Sequence, residues 1–180
     1  MSGHHTRLHW CNQKRCFSSE LDTEIKSWLF DSGSLTTRLV HHCNGKFSVK
    51  VLSVQRATPT PDEVKVLKLK ARNHSIIREV LLLCEDRPVV YARTIIPVSS
   101  LRSSLRGIVK LGNKSLGAVL FADKKMLRKP MEITLLKESH KCHAWTRYKG
   151  KKSIWGRRSV FIIKGQEILV SEFFLPDLLS

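Results

Sequence analysis

Cysteine is sparse in this 180-residue chain: five residues, at positions 11, 16, 43, 84 and 142. An odd and scattered set does not read as a disulfide framework, so a stapled secreted mini-protein is excluded and a reducing cytoplasm is the simpler setting. Long apolar runs are missing as well. The stretch 80–84 is among the longest, far short of a bilayer span. The first five residues, Met-Ser-Gly-His-His, lack the apolar centre of a signal peptide. No glycine-rich phosphate loop is present, which argues against nucleotide-cofactor and kinase chemistry. Acidic residues are few, 15 against 32 Lys and Arg.

What is present is an ordinary globular composition, 42% hydrophobic and 26% charged. The length suits one domain with its own core. The formal charge of +17 is uneven. Residues 1–100 carry 15 basic and 9 acidic residues, 101–165 carry 17 and 3, and 166–180 carry three acids and no Lys or Arg. Such a field attracts anions: nucleic acid, anionic lipid or a small polyanion.

Residues 1–20 show no sustained period and read as an extended N-terminal segment. Asp22 can cap a short helix with Ile25, Trp28 and Leu29 on one face. Gly33 breaks it, and Ser34 can cap a second helix. Residues 47–54 alternate as a strand, and 58–62, with two prolines, reads as a loop. Runs 75–84 and 88–96 form a hairpin. Residues 99–110 and 116–121 read as helices. Strands follow at 131–136, 154–163 and 167–174, with a basic loop at 137–153. Hairpin-joined strands with helices between them predict an α+β domain, an antiparallel sheet flanked by helices.

Three charges fall on apolar stripes. Arg78 shares a strand face with Ile76, Val80 and Leu82; Arg93 with Val89, Tyr91 and Ile95; Glu172 with Ile168, Val170 and Phe174. A buried lone charge costs several kcal/mol, so each needs a partner or a ligand. Structural Arg–Glu pairing is one reading. The other is an apolar pocket with two cations and one carboxyl, suited to a small dianion held by guanidinium forks. A glutamate in hydrocarbon would have a raised pKa and could donate a proton.

The histidine–cysteine groups 41–43 and 140–143 lack a second matched pair of zinc-ligand spacing, so no metal is expected. Cys11 and Cys16 have no activating base nearby and do not read as a redox pair. Lys149, Lys151 and Lys152 mix with Trp145, Tyr148 and Trp155, which could stack on nucleic acid. A solvated loop on a basic protein explains them as well.

At these stripes the sequence resembles the chorismate pyruvate-lyase family, whose members make 4-hydroxybenzoate at the start of bacterial ubiquinone synthesis. The likeness is carried by Ile77-Arg-Glu-Val-Leu-Leu82, Arg93-Thr-Ile-Ile-Pro-Val-Ser99, Lys110-Leu-Gly112, Ser115-Leu-Gly117 with Leu120-Phe121, Trp155-Gly-Arg-Arg-Ser159 and Glu172-Phe-Phe-Leu-Pro176. It implies a single-domain antiparallel sheet over residues 1–180, with the ligand enclosed beneath helical flaps and 137–153 as an insertion. It implies ligand contacts at Arg78, Glu172 and the flap residue Leu116. A methionine of the family falls on Leu35. Arg78 would hold the ring carboxylate, and Arg93 or an arginine of 157–158 the pyruvyl carboxylate. Glu172 would lie near the oxygen that becomes the phenol, as acid or only as an orienting group; a concerted internal hydrogen transfer would need no acid. No cofactor is implied. The expected partners are chorismate, 4-hydroxybenzoate and pyruvate, with no nucleic acid or integral membrane contact, in a cytoplasmic monomer. The same fold serves as an effector-sensing domain in some transcription regulators, and a basic nucleic-acid-binding module is the other alternative.

Overall fold

The computed structural model describes residues 8–12, 21–70, 73–102 and 105–179. Most of the expected extended segment 1–20, including Cys16, lies outside them. The described elements run β1 (Cys11–Asn12), α1 (Thr23–Phe30), α2 (Leu35–His42), β2 (Phe47–Ala57), α3 (Pro61–Val66), β3 (Ser75–Cys84), β4 (Arg87–Pro97), α4 (Arg106–Val109), α5 (Leu116–Ala122), β5 (Leu127–Arg128), β6 (Glu132–Leu136), β7 (Ile154–Ile163) and β8 (Gln166–Phe174), with short 3-10 turns at 98–102, 141–146 and 176–178. The strands form one antiparallel sheet in the order β1-β6-β7-β8-β4-β3-β2, with β5 also on β7. The α+β expectation holds.

Local chemistry explains most boundaries. Asp22 and Ser34 accept backbone N–H groups at the starts of α1 and α2. The β3–β4 turn places Glu85 and Asp86 at positive φ, as a tight two-residue hairpin requires. Two readings change. The loop expected at 58–62 leads into α3: Thr60 and Glu63 form a reciprocal capping box, and Pro61 occupies the first turn, where a missing N–H costs nothing. The helix expected over 99–110 is broken into a 3-10 turn and the four-residue α4. Serines and Gly107 supply little helix propensity, and Leu105 and Ile108 bury themselves without a continuous helix.

Each sheet face carries its own core. On the first face, α1 and α2 pack Trp28, Leu29, Leu35 and Leu39 against Val80, Leu82, Val90 and Phe174. Beside them α5 packs Leu116 and Leu120 against Phe161, Ile168 and Val170. On the second face, Tyr91, Phe173, Leu81 and Leu136 meet Cys142 and Trp145 of the 137–153 segment. That segment is therefore not merely a solvated loop. A register shift after Leu82 leaves Val89 opposite no residue, which moves it into the first-face core and away from the Tyr91–Arg93 stripe.

Cys43, at the end of α2, is bonded to Cys84, at the end of β3, with Cα atoms 5.2 Å apart. The scattered cysteines thus include a spatial pair that spacing did not reveal. The bond closes a loop spanning 41 positions, worth at most about 4 kcal/mol by chain entropy. Urea denaturation of the oxidised protein and of a Cys43→Ser variant should differ by about 2–4 kcal/mol, with the variant less stable.

Candidate active site

The first face places two rows of side chains beneath α2 and α5. Arg78 pairs across the strands with Thr94, and Thr94 with Val170; one row along, Val80 pairs with Ala92, Ala92 with Glu172 and Glu172 with Arg157. A small cavity of about 50 Å³ lies above them. Leu35 and Thr36 of α2, Leu116 of α5, Arg78, Glu172, Arg157 and Arg128 all reach it. Four of the sequence-derived site residues, Leu35, Arg78, Leu116 and Glu172, are therefore brought together. They come from α2, β3, α5 and β8: the antiparallel register sets Arg78 and Glu172 on one face, and the packing of α2 and α5 on that face brings Leu35 and Leu116 to them.

Arg78 has the unusual environment. It is 3% exposed, and its guanidinium donates to the carbonyl oxygens of Gly112 (3.0 Å) and Lys114 (3.1 Å). Among the described residues no carboxylate pairs with it. Burial pushes its pKa below the ordinary arginine value, although it stays charged. A desolvated cation held by carbonyl dipoles has charge left to pair with an anion entering the cavity.

Glu172 sits differently from the hydrocarbon-enclosed carboxyl expected from its stripe. Arg157 Nε donates to it at 2.6 Å, while Arg157 Nη1 donates to the carbonyls of Trp28 and Asp31, both at 2.8 Å. Arg157 is 1% exposed. It ties the exit of α1 to the sheet and holds Glu172 as its counter-ion. A carboxylate so held is an acceptor suited to a ligand hydroxyl.

Arg128 was missed from the sequence. It lines the same cavity, donates to Ser159 Oγ (3.0 Å) and the Ser32 carbonyl (3.2 Å), and its guanidinium lies 5.2 Å from the Phe161 ring centroid. Burial first, and then the charge of Arg157, lower its pKa; Glu172 and Asp31 act the other way. It stands on a two-residue strand within Met126-Leu-Arg-Lys-Pro130, where a basic residue looks like surface charge. No periodicity could have singled it out.

Arg93, proposed from its stripe as a ligand contact, does not reach this cavity. Adjacent strand positions point to opposite faces, and the pairing that puts Ala92 and Thr94 on the first face puts Arg93 on the second. There it donates through Nε to Glu63 (2.8 Å) and through Nη1 to Glu79 (3.0 Å). The structural Arg–Glu reading is the correct one for this residue. Arg158 also faces the second side, bound by Glu132 (2.8 Å) and Asp62, so of the neighbours 157 and 158 only Arg157 is in the cavity.

The Arg93 network predicts acid sensitivity. Burial alone would raise the Glu79 carboxyl, but hydrogen bonds from Tyr91 and Ser53 and the Arg93 charge outweigh it and hold Glu79 below its ordinary value. A depressed carboxylate contributes stability above the unfolded-state pKa and loses it as pH falls through the folded one. Unfolding free energy measured in urea should therefore be level near neutrality and fall as pH drops below about 4.5. Glu79→Gln should flatten that fall; an unchanged profile would remove Glu79 as its source.

The two flaps meet tightly. Thr36 Oγ1, in the first turn of α2, is hydrogen-bonded to Ser115 Oγ, the residue before α5. A side chain at Gly117 would put its Cβ 2.5 Å from Thr36 Oγ1, so the missing side chain permits this contact. Gly117→Ala should force the flaps apart at about 1–3 kcal/mol. Ligand retention beneath them should weaken roughly ten- to hundredfold; stopped-flow dissociation would measure it.

Comparison with known proteins identifies the family. The family model described as "Chorismate lyase" matches residues 7–180. A Methylococcus capsulatus protein described as "Probable chorismate pyruvate-lyase" is 40% identical over 87% of this chain and 97% of its own. A relative of the same description from Nitrosospira multiformis is 37% identical over 90% and 92%. Among solved structures, a GntR-family transcriptional regulator from Bacillus cereus aligns with TM-score 0.54 at 9% identity, covering 73% of this chain and 93% of that one. The C-terminal domain of Yurk from Bacillus subtilis aligns with TM-score 0.53 at 12% identity, over 71% and 90%. These structures share the fold; the sequence relatives and the family model fix the membership: this chain belongs to the chorismate lyase family.

Proposed function

We propose that this protein removes pyruvate from chorismate to give 4-hydroxybenzoate, the step that opens ubiquinone synthesis, and that residues 1–180 act as one catalytic unit. The observation that carries the reading is Arg78, a buried guanidinium without a carboxylate partner among the described residues, lining the same small cavity as Glu172. Arg78 takes the ring carboxylate. Glu172, steadied by Arg157, accepts from the ring hydroxyl that is kept as the phenol. Arg128 takes the enolpyruvyl carboxylate, the role for which the sequence suggested Arg93 or an arginine of 157–158. Leu35 and Leu116 wall the ring.

The bond changes are simple. The ether C–O bond breaks, the hydrogen on the hydroxyl-bearing ring carbon leaves, and the enolpyruvyl methylene gains a hydrogen to become the methyl of pyruvate. The ring becomes aromatic. Two anchored carboxylates hold the methylene near that hydrogen, so an internal transfer needs constraint and no side-chain acid. Glu172 is already engaged by Arg157, which favours an orienting role. The 50 Å³ cavity holds only a few waters and is far below the usual ligand-pocket volume. Substrate is therefore admitted, and product released, by separation of α2 and α5, and release limits turnover.

The protein acts as a cytoplasmic monomer without a nucleic-acid partner. No helix in the described residues is long and apolar enough to cross a membrane. In a reducing cytoplasm Cys43 and Cys84 would stand as a dithiol. Incubation with chorismate, followed by chromatography of 4-hydroxybenzoate and pyruvate, tests the reading. Equimolar products above the spontaneous background support it. Retained 4-hydroxybenzoate binding without turnover would make the protein a ligand-binding relative of the regulators that share its fold.

A further inference from the structure

A cavity larger than the first lies on the other side of the sheet. It measures about 450 Å³ and lies on the second face, between α3, the 141–146 turn and the segment leading into β1. Its floor is a row across three strands, Arg93, Ser171 and Arg158, each paired with the next, and the ring of Phe173 beside them. That ring lies against Gly156, where a Cβ would come within 2.7 Å of it. Its walls include Leu8 and two tryptophans, and each indole faces one arginine: Trp145 is 4.7 Å from the Arg93 guanidinium and Trp10 is 4.3 Å from that of Arg158. None of this is used by the site on the first face.

Charge decides what could occupy the space. Both floor arginines are already neutralised, Arg93 by Glu63 and Glu79, Arg158 by Asp62 and Glu132. Glu63 and Asp62 themselves line the cavity. An entering anion would meet those carboxylates and would have to break one of two buried ion pairs. This is the reverse of Arg78, which has no counter-ion among the described residues. His140 and Lys141 also line it, and the rest is mostly aromatic and aliphatic surface of the size of a ligand pocket, with planar side chains suited to ring stacking.

We propose that this cavity is a second ligand site, separate from the first, that takes a neutral, flat aromatic molecule of one or two rings, stacked between the Trp145 and Trp10 walls over Ser171 and Phe173. The inference does not depend on the lyase reading.

Indole and indole-3-carboxylate are suitable probes, applied to the full chain. Saturation-transfer NMR detects binding and calorimetry measures affinity. Indole should bind one to one and indole-3-carboxylate at least about tenfold more weakly, because the carboxylate meets Asp62 and Glu63. Arg78→Ala and saturating 4-hydroxybenzoate should leave indole binding unchanged. Ser171→Phe, which fills the floor, should weaken it at least tenfold. Trp145→Ala should weaken it as well, and serves as the second variant if Ser171→Phe does not fold by circular dichroism. No binding of indole at millimolar concentration overturns the proposal. So does competition by 4-hydroxybenzoate or loss in Arg78→Ala, because the ligand would then be in the first cavity. Tighter binding of the carboxylate would overturn the neutral-ligand assignment.

Discussion

Replacing Arg78 with alanine or methionine is expected to lower kcat/KM for chorismate by roughly two to three and a half orders of magnitude, with a parallel loss of 4-hydroxybenzoate affinity. The size follows from losing a buried, charge-assisted contact to a carboxylate, about 3–5 kcal/mol. Arg78→Lys should recover only part, since an ammonium cannot present the guanidinium fork. The same change should scarcely alter the ligand-free fold. Arg78 is buried with no counter-ion among the described residues, so removing it relieves a desolvation cost while two carbonyls, those of Gly112 and Lys114, lose a donor. Those effects oppose each other, and Arg78→Met should unfold within about 1 kcal/mol of the wild type. Steady-state kinetics and ligand-free thermal unfolding of the same preparation check both halves. A large stability loss with modest loss of binding would mean that Arg78 is a structural strut.

Arg157 should behave in the opposite way. Arg157→Ala leaves Glu172 without its partner and strips donors from the Trp28 and Asp31 carbonyls. Breaking one side of a buried pair costs about 3–5 kcal/mol, so urea unfolding should show a loss of that order. Activity should fall with it, because Glu172 loses its fixed orientation and α1 its tie to β7. The double variant Arg157→Met with Glu172→Met should regain a large part of the stability, since removing both charges removes the uncompensated one. It should remain inactive. A double variant no more stable than Arg157→Ala would show that the carbonyl contacts, and not the ion pair, carry the cost.

These contrasts show where sequence reading reached its limit. Arg78, Arg93 and Glu172 stood out equally, each a charge on an apolar stripe. Alternation says which residues share a face of one strand, but it does not say which faces of different strands coincide. That depends on register, and the pairing of Ala92 with both Val80 and Glu172 is what separates Arg93 from the other two. A single extra residue, Val89, changes sides for the same reason. Arg128 and the Cys43–Cys84 pair were invisible because their meaning lies in contacts between distant segments. The second cavity was equally hidden, since its walls come from α3, β7, β8, the 141–146 turn and the N-terminal segment.

The sequence by itself determined the helix caps at Asp22 and Ser34, the main β3–β4 and β7–β8 hairpins, the α+β class and the family, because short-range hydrogen bonding, period-two burial and ordered motifs are local properties of the chain. The tertiary structure alone decided which arginine faces the active-site cavity, what neutralises Glu172, how closely α2 approaches α5 and what the 137–153 segment packs against. Those outcomes depend on strand register and on burial by elements far apart in the chain, and a buried charge acquires its role only when its long-range partners are in place.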